Sequence, residues 1–351
     1  MQPVRIGIVG AGANTRSRHL PGFGAIDGVE VVCVANRTLD SARRVAAEFH
    51  IGRAHAHWRD VVDDPAVDAV CIGTWPYLHA AVTCAALTAG KHVLCEARMA
   101  RNVAEARQML DAAQQSDRVA MLVPSPLGLA GDRAMRELVA KGFLGELREV
   151  YIRGLSASLA DCAAPLGWRQ RADLSGVNML ALGILNETVQ RWFGAAESVS
   201  AQTSRFVPRR VDPETGQLQD VDLPDSVAVI ARLASGAQCV YHLSGHAHHG
   251  GGMRIEAFGS AGTLIYDLET DKILGATRQD AELSEIQIRP EQVRRWQVEA
   301  DFVAAIRGER PVTLTTFRDG MKYMCFTEAV FRSAITGQRC EVAEIWPGSS
   351  P

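Results

Sequence analysis

Ile6-Gly-Ile-Val-Gly10-Ala11-Gly12-Ala13-Asn14-Thr15 is the stretch whose reading decides the fold. A β-branched run, Val4–Val9, leads into two glycines two residues apart and then into a helical pattern over about 15–26. Gly10 permits a tight turn. Gly12 lets backbone approach a pyrophosphate, whose charge the amides around Ala11, Ala13 and Asn14 at the next helix's start would meet. Thr15 stands where a third glycine is expected. A glycine turn that serves only packing is spelled the same way, so context has to separate the two readings. A second strand, Val29–Ala35, follows about 25 residues after the loop, which completes a βαβ layout.

Outward from this unit, strand patterns at 67–73, His92–Cys95 and 119–123 alternate with helical patterns at 41–50, 78–89 and 103–116. Such alternation predicts a parallel sheet with right-handed crossovers. After Pro124 a helix is predicted at 131–141, a strand at 147–153 and a helix at 177–193. Strand patterns then dominate (197–207, 227–233, 237–245, 253–258, 262–266), and two helices close the chain at 291–307 and 317–336. The expected fold class is therefore α/β, with a Rossmann dinucleotide-binding domain over 1–124. An α/β domain with a large, mostly antiparallel open sheet follows over 125–351.

The second strand ends in Asn36-Arg37-Thr38. An acidic residue there would accept the ribose hydroxyls of NAD. Here an arginine flanked by an amide and a hydroxyl can hold a 2′-phosphate, so NADP is expected, with NAD possible.

The 351 residues carry 47% apolar and 22% charged side chains, which excludes a disordered or fibrous chain. With a net charge of −3 and no dense basic run, nucleic acid is not expected as a partner. The longest apolar runs fall far short of the roughly 20 residues that span a bilayer, so no membrane association is expected. No export signal is read at the N-terminus. Eight cysteines form no C-x-x-C pair, which suits reduced thiols and a cytoplasmic location.

The stretch Val67-Asp-Ala-Val-Cys-Ile-Gly-Thr74-Trp75-Pro-Tyr77-Leu-His79, followed by Ala86-Leu-Thr-Ala-Gly90-Lys-His-Val-Leu-Cys-Glu96, resembles the Gfo/Idh/MocA family, the glucose-fructose oxidoreductase and inositol dehydrogenase group. His19-Leu-Pro21, Trp168-Arg169, Arg191-Trp192-Phe-Gly194, Gly259-Ser-Ala-Gly262 and the tail from Phe302 to Gly337 extend the resemblance over almost the whole chain. It implies hydride transfer between a nicotinamide ring and a sugar, glycoside or cyclitol hydroxyl. It also implies a homodimer or homotetramer formed through the C-terminal sheet. By the same resemblance Glu96 lies near the nicotinamide ribose, and Thr74 and His79 are cofactor neighbours, with helix-start packing the alternative for His79. Trp168 and Arg169 enter the cleft of a carbohydrate-like substrate, with a core position the alternative for Trp168. Trp75 and Tyr77 flank the Thr74 turn, where they either cover the nicotinamide or a sugar face or simply pack. His248 is read with its neighbouring histidines as lining the substrate cleft.

Within that resemblance the proton-transfer groups differ. The family's lysine and proline after the glutamate are Ala97 and Arg98, and its later acid and histidine are Ala181 and Leu185. Alanine and leucine exchange no protons, so other groups must act if the chemistry persists. The candidates are Arg98, which stays charged and acts electrostatically; Asn178, three before Ala181 on one helical face or else a cap; Glu187, a base or else an ion-pair partner of Arg191; and His246. His242, His246, His248 and His249 fall within eight residues. Their glycine-rich surroundings, with no acid or cysteine completing a set, argue for a polar cleft lining rather than a metal site. Three functions compete: an NADP-favouring oxidoreductase, a redox-neutral lyase using transient oxidation, and a non-catalytic binder of dinucleotide or sugar.

Overall fold

Ile6 and Ile8 of β1 (Val4–Val9) are fully buried, as a strand covered on both faces of a parallel sheet requires. In the computed structural model, which describes residues 3–124 and 128–346, β1 pairs with β2 (Val29–Ala35) on one side. On its other side lies the third-neighbour strand Ala69–Ile72. With β3 (Arg53–His55), β4 (Ala69–Ile72), β5 (His92–Cys95) and β6 (Ala120–Leu122), the order is β3-β2-β1-β4-β5-β6, parallel throughout. This is the dinucleotide-binding order. The crossovers carry α1 (Leu20–Gly24), entered through a π-helical turn at Thr15–His19, then α2 (Leu39–Glu48), α3 (Trp58–Val62), α4 (His79–Thr88) and α5 (Val103–Gln114). Thr38 and Asn102 cap α2 and α5 by accepting from the amides of Ser41 and Glu105. β3 and α3 were not anticipated; at three and five residues they are too short to show a period.

Contacts divide the chain into two compact units, Met1–Pro124 with Trp296–Met321, and Ser125–Arg295 with Lys322–Pro351. The sequence division at 124 assigned everything beyond it to the second domain. The return segment instead clusters with the first unit, because Val298, Phe302 and Val303 of a late helix fill the same core as Ile6, Ile8 and Leu94.

In the second unit, α6 (Asp132–Ala140) precedes β7 (Leu147–Leu155), α7 (Ala172–Ser175) and α8 (Leu182–Phe193). The strands after these are β8 (Ala196–Ser204), β9 (Arg209–Val211), β10 (Leu218–Asp220), β11 (Ser226–Leu233), β12 (Gln238–Ser244), β13 (Gly252–Gly259), β14 (Gly262–Asp267), β15 (Lys272–Thr277), β16 (Ser284–Ile286) and β17 (Cys340–Glu341). β9 and β10 form a separate ribbon. The others make a sheet in the order β16-β15-β14-β13-β7-β12-β11-β8-β17, antiparallel except at β7–β12. Along β11, Val227, Val229, Ala231 and Leu233 are buried while Ala228, Ile230 and Arg232 are exposed, the alternation of a sheet covered on one face. The late helices are α9 (Val298–Ile306) and α10 (Phe317–Thr336), and α11 (Val342–Ile345) follows β17.

Two predicted elements are corrected: the helix expected over 291–307 spans only Val298–Ile306, after a separate turn at Pro290–Gln292, and a second helix starts late. The helix expected from 177 begins only at Leu182, because Leu180 adopts a left-handed φ of 46° and breaks the run. All eight cysteines are free thiols. Among the described residues no helix is long and apolar enough to cross a membrane.

Candidate active site

The glycine loop is built as its spelling demands. Gly10 has a φ of +86°, and a Cβ there would lie 2.7 Å from the Thr74 amide nitrogen. Only glycine lets the β1 and β4 turns come this close. Gly12 has open space, with nothing nearer to a Cβ than the Gly73 carbonyl at 3.9 Å. Thr15, in the third glycine's place, donates its hydroxyl to the Gly10 carbonyl at 3.0 Å. A cavity of ≈ 430 Å³ opens over this loop, lined by Gly10, Ala11, Gly12, Asn36, Arg37, Trp58, Thr74, Trp75 and Tyr77 among others. The amides of the first helical turn after the loop have no acceptors within the helix, as anion binding requires. The residues present thus fit a dinucleotide.

Several predicted cofactor residues prove to hold the wall rather than face the cavity with a free group. Asn36 accepts from the Ala11 amide at 2.7 Å and donates to Ser41 Oγ at 3.1 Å, so both ends of its side chain are engaged. The Thr38 hydroxyl caps α2. His79 is fully buried; its Nδ1 lies 2.9 Å from the Arg98 carbonyl and its Nε2 2.9 Å from that of Thr74. Burial pushes its pKa down. It ties the turn after β4 to the turn after β5. Arg37 remains exposed at the cavity edge, while Trp58 in the same lining is half-buried, with the Arg59 guanidinium 4.6 Å over its ring. Trp75 and Tyr77 stand 6.5 Å apart, half-buried in the opposite wall.

Glu96, just past β5, accepts from the Asn14 side chain, from His19 Nε2 at 3.0 Å and from the Ala97 amide at 3.2 Å. Burial alone would raise its pKa, but the bonds from His19 and Asn14 outweigh that and hold it below the usual carboxylate value. His19 reaches Glu299 with its other nitrogen at 2.5 Å. Neither His19 nor Glu299 was singled out as a site residue; they lie 280 positions apart and no local pattern links them. Arg98 is buried, with 4% of its surface exposed.

In the second unit, Glu187 is 2% exposed and pairs with Arg191 at 3.1 Å, while Arg191 also meets Asp132 at 2.8 Å. Trp192 Nε1 donates to the same Asp132 oxygen at 2.9 Å. The ion-pair alternative for Glu187 is the one formed. Asn178 precedes α8 rather than sharing a helical face with Ala181, and its amide donates to the Ser175 carbonyl at 2.6 Å. It does not cap α8, whose N-cap is Ala181. Leu185 is fully buried and packs against Gly154. His246 Nε2 lies 3.0 Å from Asp225, a buried carboxylate that also accepts from the amides of Phe206 and Val207. Asp225 was missed, since nothing in sequence marks a loop aspartate as a histidine's partner. His242, His248 and His249 are exposed and do not converge on His246. Trp168 is half-buried, with the Arg169 guanidinium 4.2 Å over its ring. Among the described residues, one set of potential ligand atoms, on Cys33, His55 and Asp64, falls within 4.8 Å of one another. Arg53 occupies the Asp64 carboxylate there.

Comparison with known proteins agrees with this geometry. Residues 4–123 match the model of an oxidoreductase family with an NAD-binding Rossmann fold, and residues 133–265 that of the GFO/IDH/MocA C-terminal domain. The chain is 29% identical over 348 residues to 1,5-anhydro-D-fructose reductase of Ensifer adhaerens, covering 96% of this chain and 98% of that protein. It is 27% identical over 298 residues to levoglucosan dehydrogenase of Pseudarthrobacter phenanthrenivorans, covering 77% and 75%. A solved structure of levoglucosan dehydrogenase in complex with NADH and L-sorbose superposes with a TM-score of 0.87 at 23% identity, over 97% of this chain and 99% of that one. With a dinucleotide-order sheet, a glycine loop of matching build and both domains matched in sequence, the chain belongs to the Gfo/Idh/MocA family of oxidoreductases.

Proposed function

We propose that this protein is an NAD(P)-dependent oxidoreductase that moves a hydride between the dinucleotide and a hydroxyl or carbonyl carbon of a sugar, glycoside or cyclitol. The observation that carries the reading is the cavity over the Gly10 loop, lined by the loop itself, by Arg37 past β2 and by the turn after β4, where a sheet of this order takes a dinucleotide. Relatives named for anhydrofructose and levoglucosan chemistry support the substrate class. The bound nicotinamide supplies the hydride acceptor or donor.

The chain's own residues bind, orient and handle the proton. The glycine loop receives the pyrophosphate, and Arg37 at the cavity edge favours a 2′-phosphate, so NADP binds more tightly than NAD. With Ala97, Ala181 and Leu185 at the family's proton-transfer positions, His246 is the base. Its imidazole keeps 16% of its surface exposed and its Nε2 is oriented by buried Asp225, the arrangement a general base needs. Trp168 with Arg169 stacked on it offers a face for a sugar ring. The exposed face of the nine-stranded sheet, where Ile230 is 58% exposed, is the surface for a homodimer or homotetramer. Five buried reduced thiols suit a cytoplasmic enzyme.

The test is titration of the purified protein with NADP and NAD by intrinsic fluorescence, followed by a sugar and cyclitol panel read at the reduced-nicotinamide absorbance band. Dinucleotide binding with turnover of at least one polyol supports the reading. Absence of dinucleotide binding overturns it. Binding with no net absorbance change, but with loss of a substituent from the sugar, supports a redox-neutral lyase instead.

A further inference from the structure

We infer that His19 is a positioning residue for the dinucleotide: a buried imidazolium, held between Glu96 and Glu299, that aims the Glu96 carboxylate at Asn14 of the glycine loop. The inference rests on the dinucleotide reading above and adds to it two residues, His19 and Glu299, that touch no ligand themselves.

The geometry is closed on every side. His19 is fully buried, and each ring nitrogen faces a carboxylate, Nε2 at 3.0 Å from Glu96 Oε1 and Nδ1 at 2.5 Å from Glu299 Oε1. A neutral imidazole carries one proton and would leave one of these nitrogens lone pair to lone pair with a carboxylate, whereas the imidazolium donates to both. Burial, the largest influence on this group, opposes the charge, but the bonds it donates to the two carboxylates prevail and raise its pKa to about 9. Glu299 is itself anchored, since the Trp296 indole donates to its second oxygen at 2.7 Å. The Trp296 ring stacks at a tilt on His19, 5.6 Å away, with the Arg18 guanidinium 5.7 Å from its centre. Glu96 is the end of the chain of contacts that faces the loop: it accepts from the Asn14 amide group.

The position of Glu96 gives the device its target. Glu96 directly follows β5, at the carboxyl ends of the strands, on the far side of β1 from β2. In this sheet order the β2 side takes the adenosine half of a dinucleotide, so the β5 side takes the nicotinamide half. Without the imidazolium, two buried carboxylates would face each other across an uncharged ring, and Glu96 would lose the bond that sets its rotamer. The contact also requires Gly22, one helical turn beyond His19: a Cβ there would lie 2.6 Å from Glu299 Oε2.

The experiment measures dissociation constants of NADP, NAD and 2′,5′-ADP for the intact protein and for His19→Gln, Glu299→Gln and Gly22→Ala, with the melting temperature of each. It adds the ¹⁵N spectrum of His19 in the parent protein. The expected result is a weakening of about tenfold for the full dinucleotides in all three variants, from one lost charge-assisted bond, with 2′,5′-ADP unchanged and the His19 nitrogens showing the imidazolium pattern at pH 8. Gly22→Ala removes no charged or hydrogen-bonding group, so its agreement with Glu299→Gln identifies placement of Glu299 as the cause. If His19→Gln does not fold, the other two variants carry the test. Unchanged dinucleotide affinity in folded variants with lowered melting temperature assigns the cluster to stability alone and overturns the inference. Equal weakening of 2′,5′-ADP overturns it as well. If the parent protein binds 2′,5′-ADP and dinucleotides not at all, it is the functional reading that fails.

Discussion

Thr15 and Gly73 are packed hydroxyl to backbone: the Thr15 Oγ1 that donates to the Gly10 carbonyl lies where a Cβ on Gly73 would have to be. The loop tolerates threonine in place of its third glycine because the neighbouring strand end has given up its own side chain.

Gly73→Ala is therefore expected to push Thr15 off Gly10 and deform the loop. Overpacking of this kind costs about 1–3 kcal/mol of stability. Dinucleotide affinity should fall with it, and the Gly73→Ala, Thr15→Gly double variant should recover little of the affinity, because the same Cβ would also lie 2.4 Å from the Gly10 carbonyl oxygen. Chemical denaturation and fluorescence titration of the two proteins check this, and an unaffected single variant contradicts it.

Arg37→Asp should reverse the order of NADP and NAD. Loss of a charge-assisted bond to a 2′-phosphate corresponds to about 1.5–3 kcal/mol, and the introduced carboxylate repels the phosphate while accepting from free ribose hydroxyls. Titration with both dinucleotides reads the inversion directly; equal affinities in the parent protein would already exclude an NADP preference.

Arg191 lies between two buried carboxylates, Asp132 and Glu187. Arg191→Met should destabilise the second unit by about 3–5 kcal/mol, because it leaves two desolvated charges uncompensated. Glu187→Gln, by contrast, should alter stability and leave the pH profile of turnover intact. A shifted profile would return Glu187 to the catalytic set.

His246→Gln should lower turnover by about 10²–10⁴-fold with the fold intact, since a general base contributes on that order. Asp225→Asn should cost both turnover and local order, as Asp225 also receives the Phe206 and Val207 amides. Turnover unchanged in His246→Gln removes this residue from the mechanism.

The folded-state pKa of His19, near 9, exceeds its ordinary value of 6.5. The imidazolium's stabilisation is thus complete below about pH 6.5, declines through the window and is gone above about pH 9, amounting to on the order of 3 kcal/mol. The charged groups facing it are Glu299 and Glu96, the latter held below the usual carboxylate value by its bonds from His19 and Asn14. Denaturation midpoints measured from pH 6 to 9.5 should fall in the parent protein and be flatter in His19→Gln.

The two glycines, the strand and helix periods and the β-branched runs determined the parallel sheet and the nucleotide loop, because these features act within one turn or one strand and each residue's reason lies beside it. The antiparallel character of the second sheet was legible for the same reason: β11 and β12 show their alternation residue by residue. Tertiary structure alone decided what the polar residues do. Asn36 and Thr38 looked like ligand donors and became wall and cap, Asn178 was moved off its helix by the left-handed turn at Leu180, and Glu187 was claimed by Arg191. It also brought Glu299 to His19 and Asp225 to His246. A polar side chain's role depends on which partner reaches it once water is excluded, and those partners arrive from 280 and 21 residues away, beyond the range over which sequence periodicity carries any information.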